Sequence, residues 1–448
     1  MKSHTVHVCR VCGTTTPRWV GRCPGCGEWN TLDEERSDTR SQSRSRRSLV
    51  TTSLRDLGDD VERAQSSGVS ELDRVLGGGF VAGSTTLLFG EPGVGKSTLA
   101  LMSLRALALR SIPVLLIAAE ESAGQVAKRA RRLGEVPDGL DVAVTTDVDA
   151  AEQLLRDRRP ALCVVDSVSA MSDESLSSVT GSVPQVRRAA ERLCSVAKDT
   201  GSALLLVGHV TKDGELAGPR ALEHLVDTVV RIEGDRQGSL RFIRAIKHRF
   251  GPTGEVGVLE MVPEGLRELP DPALSVRGPR LEVPGVVYSV TNDGSRSFLV
   301  EIQALVATSS SSPRRVAHQV SSQRLALLLA VLEARCDIDT SGADVFAATA
   351  GGLAATEPGV DLALAMAVAS AVVGFAVPRT LTVVGEVGLA GELRSVSGLT
   401  RRVREAQRLG AKRVIVPSEG DLDATPGMDV ERCSSLAQAL ESARTVTK

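Results

Sequence analysis

The segment GEPGVGKS, residues 90–97, has the spacing G-x-x-x-x-G-K-[ST] of a phosphate-binding loop. It follows the apolar run TTLLF and precedes the helical stretch TLALMSLRALAL, which is the strand–loop–helix context that the motif requires. The glycines allow backbone N–H groups to face a phosphate at a helix N-terminus, where the helix dipole favours negative charge. We therefore predict an ATP or GTP site in which Lys96 reaches the β- and γ-phosphates and Ser97 ligates Mg²⁺. The predicted nucleotide contacts are Gly90, Glu91, Pro92, Gly93, Val94, Gly95, Lys96, Ser97 and Thr98.

Acidic side chains follow two further apolar runs. Asp166 ends the run ALCVVD, at the position of a Walker B acid that holds Mg²⁺ through water. Glu120 and Glu121 follow the run LLIAA, and a carboxylate there can orient and deprotonate the attacking water. We predict Glu120 as this base and keep Glu121 as the alternative, since either could also be an exposed loop charge. Ligands of open α/β sheets bind at the carboxyl ends of strands, so these acids are expected beside the nucleotide.

Four of the eight cysteines, Cys9, Cys12, Cys23 and Cys26, form two C-x2-C pairs, each followed by glycine. Four thiolates with this spacing suit tetrahedral Zn²⁺, and the pairing argues against thiol oxidation chemistry. About 32 residues are too few for a sizeable core, so the metal is expected to fold this module. The remaining cysteines are predicted to be small apolar residues: Cys163, Cys194, Cys336 and Cys433.

The elements that position the nucleotide residues alternate between strand and helix. Apolar runs predict strands at Thr85–Phe89, Val114–Ala118, Ala161–Val165 and Ala203–Val207. Strands that alternate with helices indicate βαβ units and a parallel sheet. The predicted fold class of this part of the chain is therefore α/β.

A change of pattern at LPDPALSVRGP, residues 269–279, predicts a domain boundary. The predicted domains are a zinc module at 1–32, a basic flexible linker at 33–50, an ATPase domain at 51–268 and a C-terminal domain at 269–448. In the last of these, strands are expected at Val286–Val290 and Phe298–Val306, and buried helices at Ser321–Cys336 and Asp361–Val373.

The composition of the 448 residues, with 42% apolar and 24% charged side chains, is typical of a soluble globular protein of two or three domains. No run of about 18 apolar residues is present, and the N-terminus lacks the features of a signal peptide, so we expect a cytoplasmic protein without a membrane partner. Aromatic residues make up only 2% of the chain. If the protein binds DNA, backbone amides and basic side chains must therefore carry most of the binding.

Four pieces of the sequence together resemble the bacterial RadA family of RecA-type ATPases. They are C-x2-C-x10-C-x2-C, GEPGVGKS, the double acid in AAEES, and KHRFG at 247–251. The last is similar to the family signature K-N-R-F-G, with His248 in place of the usual asparagine. The C-terminal third resembles the proteolytic domain of Lon, so the resemblance covers essentially the whole chain. It implies a RecA-like P-loop core with an N-terminal zinc ribbon-like module and a C-terminal Lon-like α+β domain.

The resemblance also implies a function. It indicates a DNA-dependent ATPase that uses ATP, Mg²⁺ and Zn²⁺, forms a homohexameric ring and acts on single-stranded and branched DNA. Such a protein would promote branch migration in homologous recombination and DNA repair, together with a recombinase partner.

Further site residues are implied only by this resemblance. Lys247 and Arg249 would act catalytically on the γ-phosphate of a neighbouring subunit, as an arginine finger does; alternatively they flank a Gly-Pro turn. His209 and Lys212 are candidates for sensing the γ-phosphate. Four basic residues are candidates for DNA contact, or else ordinary surface charge: Lys212, Arg220, Arg314 and Arg315.

The Lon-like segments lack both halves of the Ser–Lys dyad that such a protease uses. In TEPGVDLALAMA, Gly359 or Val360 stands where the serine should be, and the lysine position falls at about Thr400. We therefore expect an assembly scaffold and DNA platform rather than a protease.

Two other functions remain as alternatives at this point: an ATP-dependent Lon-like protease, which the absent dyad opposes, and a KaiC-like signalling ATPase that switches protein partners. The zinc module and the Arg-rich linker argue against the second. A nucleotide-gated scaffold without hydrolysis would be excluded by measurable turnover that Lys96→Ala abolishes.

Overall fold

The structure is a computed structural model that describes residues 4–37, 64–209, 219–234, 239–269, 282–309, 312–350 and 353–445. The chain divides into two compact units, Met1–Leu269 and Pro270–Lys448. This division falls one residue after the boundary that we place from the sequence. Within the described residues, no helix combines the length and the apolar character needed to cross a bilayer.

The N-terminal module is a small antiparallel sheet of β1 (His4–Cys9), β2 (Thr15–Thr16) and β3 (Leu32–Ser37), in the order β2-β1-β3. Its small core contains Cys9, Cys23 and Leu32. The prediction of a flexible linker from residue 33 is wrong for residues 33–37, which pair with β1 because Leu32 packs beside the cysteines and draws the next residues into the sheet. The rest of the predicted linker, 38–50, lies outside the described residues.

The ATPase part of the first unit contains one large sheet. Its strands are β4 (Thr85–Gly90), β5 (Val114–Ala118), β6 (Leu140–Val144), β7 (Leu162–Asp166), β8 (Ala203–His209), β9 (Thr228–Gly234), β10 (Leu240–His248), β11 (Val256–Val262) and β12 (Gly265–Glu268). Its helices are α1 (Ser70–Val75), α2 (Lys96–Ala108), α3 (Ala123–Arg132), α4 (Val148–Arg158), α5 (Val183–Thr200) and α6 (Pro219–Leu222). The four strands predicted from apolar runs are all present.

The order of this sheet is β12-β11-β10-β9-β4-β8-β7-β5-β6. The six strands from β9 to β6 are parallel, and β10, β11 and β12 extend the sheet as an antiparallel meander. Successive side chains of a strand point to opposite faces, so β4 contributes Leu88 to one apolar cluster and Leu87 and Phe89 to another. Helix α2 packs into the first cluster and α5 into the second. The sheet is therefore covered on both faces, as expected of an α/β fold.

The direction of the strands decides which residues can meet. Strands β4, β5, β7 and β8 run parallel, so their carboxyl ends share one edge of the sheet. Strand β10 runs the other way, and His248 pairs with Thr228, which pairs in turn with Thr86 near the start of β4. The end of β10 therefore lies at the opposite edge. The six residues of β4 separate the two edges by about 17 Å at about 3.3 Å per residue.

The second unit is built on a seven-stranded sheet of order β15-β16-β14-β13-β17-β20-β21. Its strands, with the hairpin β18–β19, are β13 (Val286–Asp293), β14 (Arg296–Thr308), β15 (Arg315–His318), β16 (Ala343–Thr349), β17 (Leu381–Val383), β18 (Glu386–Val387), β19 (Leu393–Arg394), β20 (Arg413–Pro417) and β21 (Asp429–Cys433). Its helices are α7 (Ser322–Cys336), α8 (Asp361–Val373), α9 (Leu399–Arg408) and α10 (Leu436–Thr445). The two strands and two helices predicted here are present, and α8 is buried from Asp361 to Ser370 as predicted. The prediction that α7 is also buried is wrong, because only one of its faces packs against the rest of the unit and residues such as Leu327 remain exposed.

Candidate functional site

The phosphate-binding loop connects β4 to α2 as predicted. Gly90 can only be glycine, because a Cβ there would lie 2.2 Å from the carbonyl oxygen of Ile232. Gly95 precedes the first residue of α2 with a φ of 111°, a left-handed conformation that favours glycine. The N–H groups of the first turn of α2 lack helical partners and so can receive the oxygens of a phosphate.

Lys96 is held over this loop by backbone oxygens. Its side chain is buried, and Nζ donates to the carbonyl oxygens of Gly90 at 2.8 Å and Glu91 at 3.0 Å. Burial lowers the pKa of Lys96, and attraction to Asp166 and Glu120 offsets part of that effect. The electrostatic influence of both acids on Lys96 places all three groups in one local site.

Ser97 and Asp166, the two predicted Mg²⁺ ligands, line the same cleft at the carboxyl edge of the sheet. Asp166 reaches it as the last residue of β7, opposite Ala118 of β5 and Val207 of β8. A hydroxyl and a carboxylate are hard oxygen ligands of the kind that Mg²⁺ prefers. The donor set therefore fits the metal that ATP chemistry needs.

The two neighbouring glutamates have different partners. Ser167, the residue after Asp166, donates a hydrogen bond to Glu120. Glu121 forms an ion pair with Arg129 of α3. The guanidinium neutralises Glu121, whereas Glu120 faces the residues that follow β7. Glu121 and Arg129 nevertheless line the cleft that Ser97 and Asp166 share, so the choice between the two glutamates stays a prediction, with Glu120 as the preferred base.

Lys247 and Arg249 lie at the opposite edge of the sheet. Lys247 donates to the carbonyl oxygens of Glu223 at 2.6 Å and Val226 at 2.8 Å. Arg249 contacts the carboxylate of Asp227 at 3.0 Å and remains 55% exposed. Neither residue can reach the phosphate loop of its own chain across the length of β4. Any action of these two cations on ATP must therefore occur between subunits.

Asp227 is the residue that anchors Arg249. It is buried and also accepts hydrogen bonds from the backbone N–H of Thr85 at 3.0 Å and from its hydroxyl at 2.8 Å. Thr85 is the first residue of β4, so one carboxylate ties the start of the strand that carries the phosphate loop to the KHRFG segment. Sequence reasoning missed this residue, because an acid before a strand reads as an ordinary loop charge.

The four N-terminal cysteines converge as the spacing predicts. Their sulfur atoms all lie within 4.8 Å of one another, with Cys9 to Cys26 at 3.7 Å and Cys12 to Cys23 at 3.5 Å. Four thiolates at about 2.3 Å from a tetrahedral Zn²⁺ lie about 3.8 Å apart, so the arrangement fits zinc. Hydrogen bonds from the backbone at Cys26 and Gly25 help lower the pKa of Cys23 to about 6, which favours the thiolate that binds metal.

Several predicted DNA contacts have other partners or lie outside the described residues. The guanidinium of Arg314 donates two hydrogen bonds to Oδ2 of Asp344, from Nη2 at 2.7 Å and from Nε at 3.0 Å. Arg315 donates to backbone oxygens, including that of Thr340 at 2.7 Å. Lys212 lies outside the described residues, and of Arg220 only the backbone, in α6, is described. The structure thus assigns Arg314 and Arg315 a part in holding the edge strand β15, and DNA contact by all four residues stays a prediction.

A buried ion pair occupies the site where a Lon-like dyad would lie. Arg402 is fully buried, and its guanidinium contacts both carboxylate oxygens of Glu357 as well as the carbonyl oxygen of Val290 at 2.6 Å. A Cβ on Gly359 would lie 2.8 Å from this guanidinium. Burial alone would raise the pKa of Glu357, but the hydrogen bonds and charge of Arg402 lower it. The pair is therefore ionised, and an arginine that stays protonated cannot act as a general base.

The assignment of the dyad lysine position to about Thr400 stays a prediction, and the structure shows where Thr400 and Arg402 lie on α9. The buried face of α9 consists of Leu399, Arg402, Val403 and Ala406, which follow the helical period. Thr400 lies off that face, and its hydroxyl accepts a hydrogen bond from the backbone N–H of Asp423 at 3.1 Å. Arg402 is the residue that faces Gly359.

Comparisons with known proteins agree with this geometry. Residues 7–34 match the family described as rubredoxin metal binding domain, residues 51–215 the AAA domain, and residues 347–420 subunit ChlI of Mg-chelatase. The chain is 42% identical to the DNA repair protein RadA of Mycolicibacterium smegmatis, covering 99% of this chain and 98% of the relative. It is 43% identical to that of Pseudomonas aeruginosa, covering 98% and 99%, and 39% identical to that of Bacillus subtilis, covering 98% and 99%.

The chain belongs to the RadA family. The family assignment implied by the four motifs is thus confirmed, as is the fold class: a RecA-like P-loop core, an N-terminal zinc ribbon and a C-terminal Lon-like domain. RadA proteins form an ATPase family, and the cysteine cluster and the AAA domain support zinc and a nucleotide as ligands of this member.

The Arg402–Glu357 pair generates a stability prediction. Arg402→Ala should destabilise the C-terminal unit by about 3 kcal/mol, because it leaves an ionised carboxylate without its buried partner. The value lies at the low end for such pairs, since Glu357 is 26% exposed. In calorimetry, the transition of this unit should fall by roughly 6–12 °C. Arg401→Ala, an exposed neighbour on the same helix, is the control and should change the midpoint little. Equal, small shifts for both variants would contradict a structural role for the pair.

Proposed function

We propose that this chain is a DNA-dependent ATPase that acts on single-stranded and branched DNA in homologous recombination and DNA repair. Membership of the RadA family supports the repair role, since the relatives are DNA repair proteins. The observation that carries the proposal is the convergence of Lys96, Ser97, Asp166 and Glu120 at one edge of the sheet, beside a phosphate-binding loop. In this proposal, hydrolysis drives a homohexameric ring along DNA in the cytoplasm and promotes branch migration.

Each residue of the cleft has a part in hydrolysis. The N–H groups at the start of α2 hold the phosphates, and Lys96 moves from its carbonyl partners to the β- and γ-phosphates. Mg²⁺, held by Ser97 and through water by Asp166, supplies positive charge to the phosphate oxygens when it is bound. Glu120 orients the attacking water and takes its proton. Ser167 positions Glu120 through its hydrogen bond.

The other half of the site comes from a neighbouring subunit. Lys247 and Arg249 lie at the edge of the sheet opposite the phosphate loop, so a ring can bring them to the γ-phosphate bound by the next chain. Arg249 is more than half exposed and pairs with Asp227 beside the start of β4, which leaves part of the guanidinium at the surface. A cation supplied across an interface stabilises the charge that develops on the transferred phosphoryl group. Hydrolysis then depends on how adjacent subunits pack.

The C-terminal unit supports assembly and DNA contact in this proposal. Gly359 and Arg402 cannot perform nucleophilic or general-base chemistry at the dyad site, so the observation opposes a Lon-like protease. Arg315 is the basic residue of this unit proposed for DNA phosphate contact, and Lys212 and Arg220 are those proposed in the first unit. A recombinase is the proposed protein partner. Arg314 contributes less, because Asp344 neutralises it.

The choice between the two glutamates can be measured by conservative substitution. Glu120→Gln should lower kcat for ATP by about 10²- to 10⁴-fold, because the general base is lost, while nucleotide binding is retained. Glu121→Gln is the matched control and should change kcat only slightly, since it loses an ion pair with Arg129 rather than the base. A larger loss for Glu121→Gln than for Glu120→Gln would reverse the assignment.

Subunit mixing tests whether Arg249 acts between chains. In the presence of single-stranded DNA, Lys96→Ala and Arg249→Ala should each lack stimulated turnover alone, yet a co-assembled one-to-one mixture should recover roughly a quarter of the stimulated wild-type turnover. One interface in about four then combines an intact loop from one chain with an intact Arg249 from the other. A mixture of Lys96→Ala and Glu120→Gln is the control and should stay inactive, because both defects lie on the same side of the interface. Recovery in the control alone, or in neither mixture, would contradict action in trans.

A further inference from the structure

Both tryptophans of the chain are exposed on the zinc module. Trp19 and Trp29 are the only tryptophans in the sequence, and they are 54% and 68% exposed. The small core of the module uses Cys9, Cys23 and Leu32 instead. Large aromatic side chains are usually buried for most of their surface. Two that are left outside a module of this size indicate a contact surface.

The two rings lie together. Gly21 sits between them, since the position of a Cβ on Gly21 is 3.5 Å from Cζ3 of Trp29 and 3.8 Å from Cη2 of Trp19. The absence of a side chain at Gly21 leaves room for both rings above the same stretch of backbone. Val20 adds a further exposed apolar side chain beside them. We call Trp19, Val20 and Trp29 the tryptophan surface.

Arginines flank this surface on several sides. Arg18 precedes Trp19, and Arg22 forms a β-bridge with Trp29. Arg10 donates to the carbonyl oxygen of Asn30 at 3.2 Å, next to Trp29. All three arginines are exposed. The sequence that follows the module continues the positive charge, with arginines at 36, 40, 44, 46 and 47.

The acidic residues of the module are placed differently. Asp33, Glu34 and Glu35 lie on β3, paired with Val8, His7 and Val6 of β1. Glu28 is the acid next to Trp29 in sequence. Three arginines thus adjoin the tryptophan surface in sequence or through backbone contacts, and their charge suits a partner that carries phosphates.

We propose that the tryptophan surface stacks on the bases of single-stranded DNA, while Arg10, Arg18 and Arg22 contact its phosphates. Flat aromatic rings beside cations match a chain that alternates bases with phosphates, and the bases of a duplex are not available for such stacking. The inference deepens the proposed function and rests on its DNA partner. It adds a local contact, at most one base per ring, to binding that basic side chains dominate elsewhere.

Tryptophan fluorescence of the full-length protein tests this surface directly, because both emitting rings lie on it. Titration with an oligodeoxythymidine should lower the emission, since a base that stacks on an indole ring quenches its fluorescence. Trp19→Ala and Trp29→Ala should each weaken binding by about 5-fold to 150-fold, the range found for loss of one stacked base. Trp19→Phe and Trp29→Phe should retain most of the affinity, because phenylalanine also stacks.

Two controls separate stacking from other causes. Val136→Ala removes an exposed apolar side chain from the ATPase core and should leave the affinity unchanged. An abasic oligonucleotide of the same length carries the phosphates without the bases and should cause little quenching. The zinc content of every variant, measured by atomic absorption, should equal that of the wild type if the module remains folded.

The outcomes distinguish this inference from the proposed function. In one outcome, DNA stimulates ATP turnover without quenching the fluorescence and binds the alanine variants as tightly as the wild type. That result would overturn the inference, and the tryptophan surface would then be assigned to another partner, such as a protein. Equal quenching by the abasic strand would also overturn it, since stacking would not be the cause. If DNA fails to stimulate turnover, the motor proposal falls, whatever the fluorescence shows.

Discussion

The buried ammonium group of Lys96 is the constraint around which the ATPase core is arranged. Burying an unpaired charge costs several kcal/mol, so the chain must surround it with partners. Two backbone oxygens of the phosphate loop and the charges of Asp166 and Glu120 supply them. Those acids can approach only because their strands run parallel to β4 and end at the same edge. The parallel topology and the loop glycines thus bring the backbone oxygens and the two acids to one buried ammonium group. A bound nucleotide phosphate can attract Lys96 away from the loop oxygens.

The same topology divides the proposed catalytic residues between two edges of the sheet. The antiparallel turn into β10 takes Lys247 and Arg249 away from the loop of their own chain, and Asp227 fixes Arg249 to the start of β4. The carboxylate of Asp227 contacts both Arg249 and the start of β4. A displacement of Arg249 at the proposed subunit interface would therefore be transmitted to the strand that precedes the phosphate loop. In the proposed ring, this connection offers a physical route by which DNA, through subunit packing, changes hydrolysis.

Much of the site was predictable from sequence, because short motifs and the pattern of the residues beside them determine its local structure. The phosphate loop, the strand ending at Asp166 and the two cysteine pairs follow from short motifs in the right context. Contacts between distant segments were not predictable in this way. The contact between Arg402 and Gly359 was missed, because only the turn of α9 decides which side chain faces Gly359. Likewise, residues 33–37 are charged and read as linker, yet Leu32 anchors them beside β1.

The most direct test of this account is the steady-state rate of ATP hydrolysis by the purified protein with and without single-stranded DNA. We expect that DNA raises turnover, that Lys96→Ala abolishes it under both conditions, and that Arg249→Ala removes the stimulation. Wild-type turnover that is equal with and without DNA would contradict the claim of a DNA-dependent motor. The ATP site would then be assigned to switching between protein partners, as in a signalling ATPase.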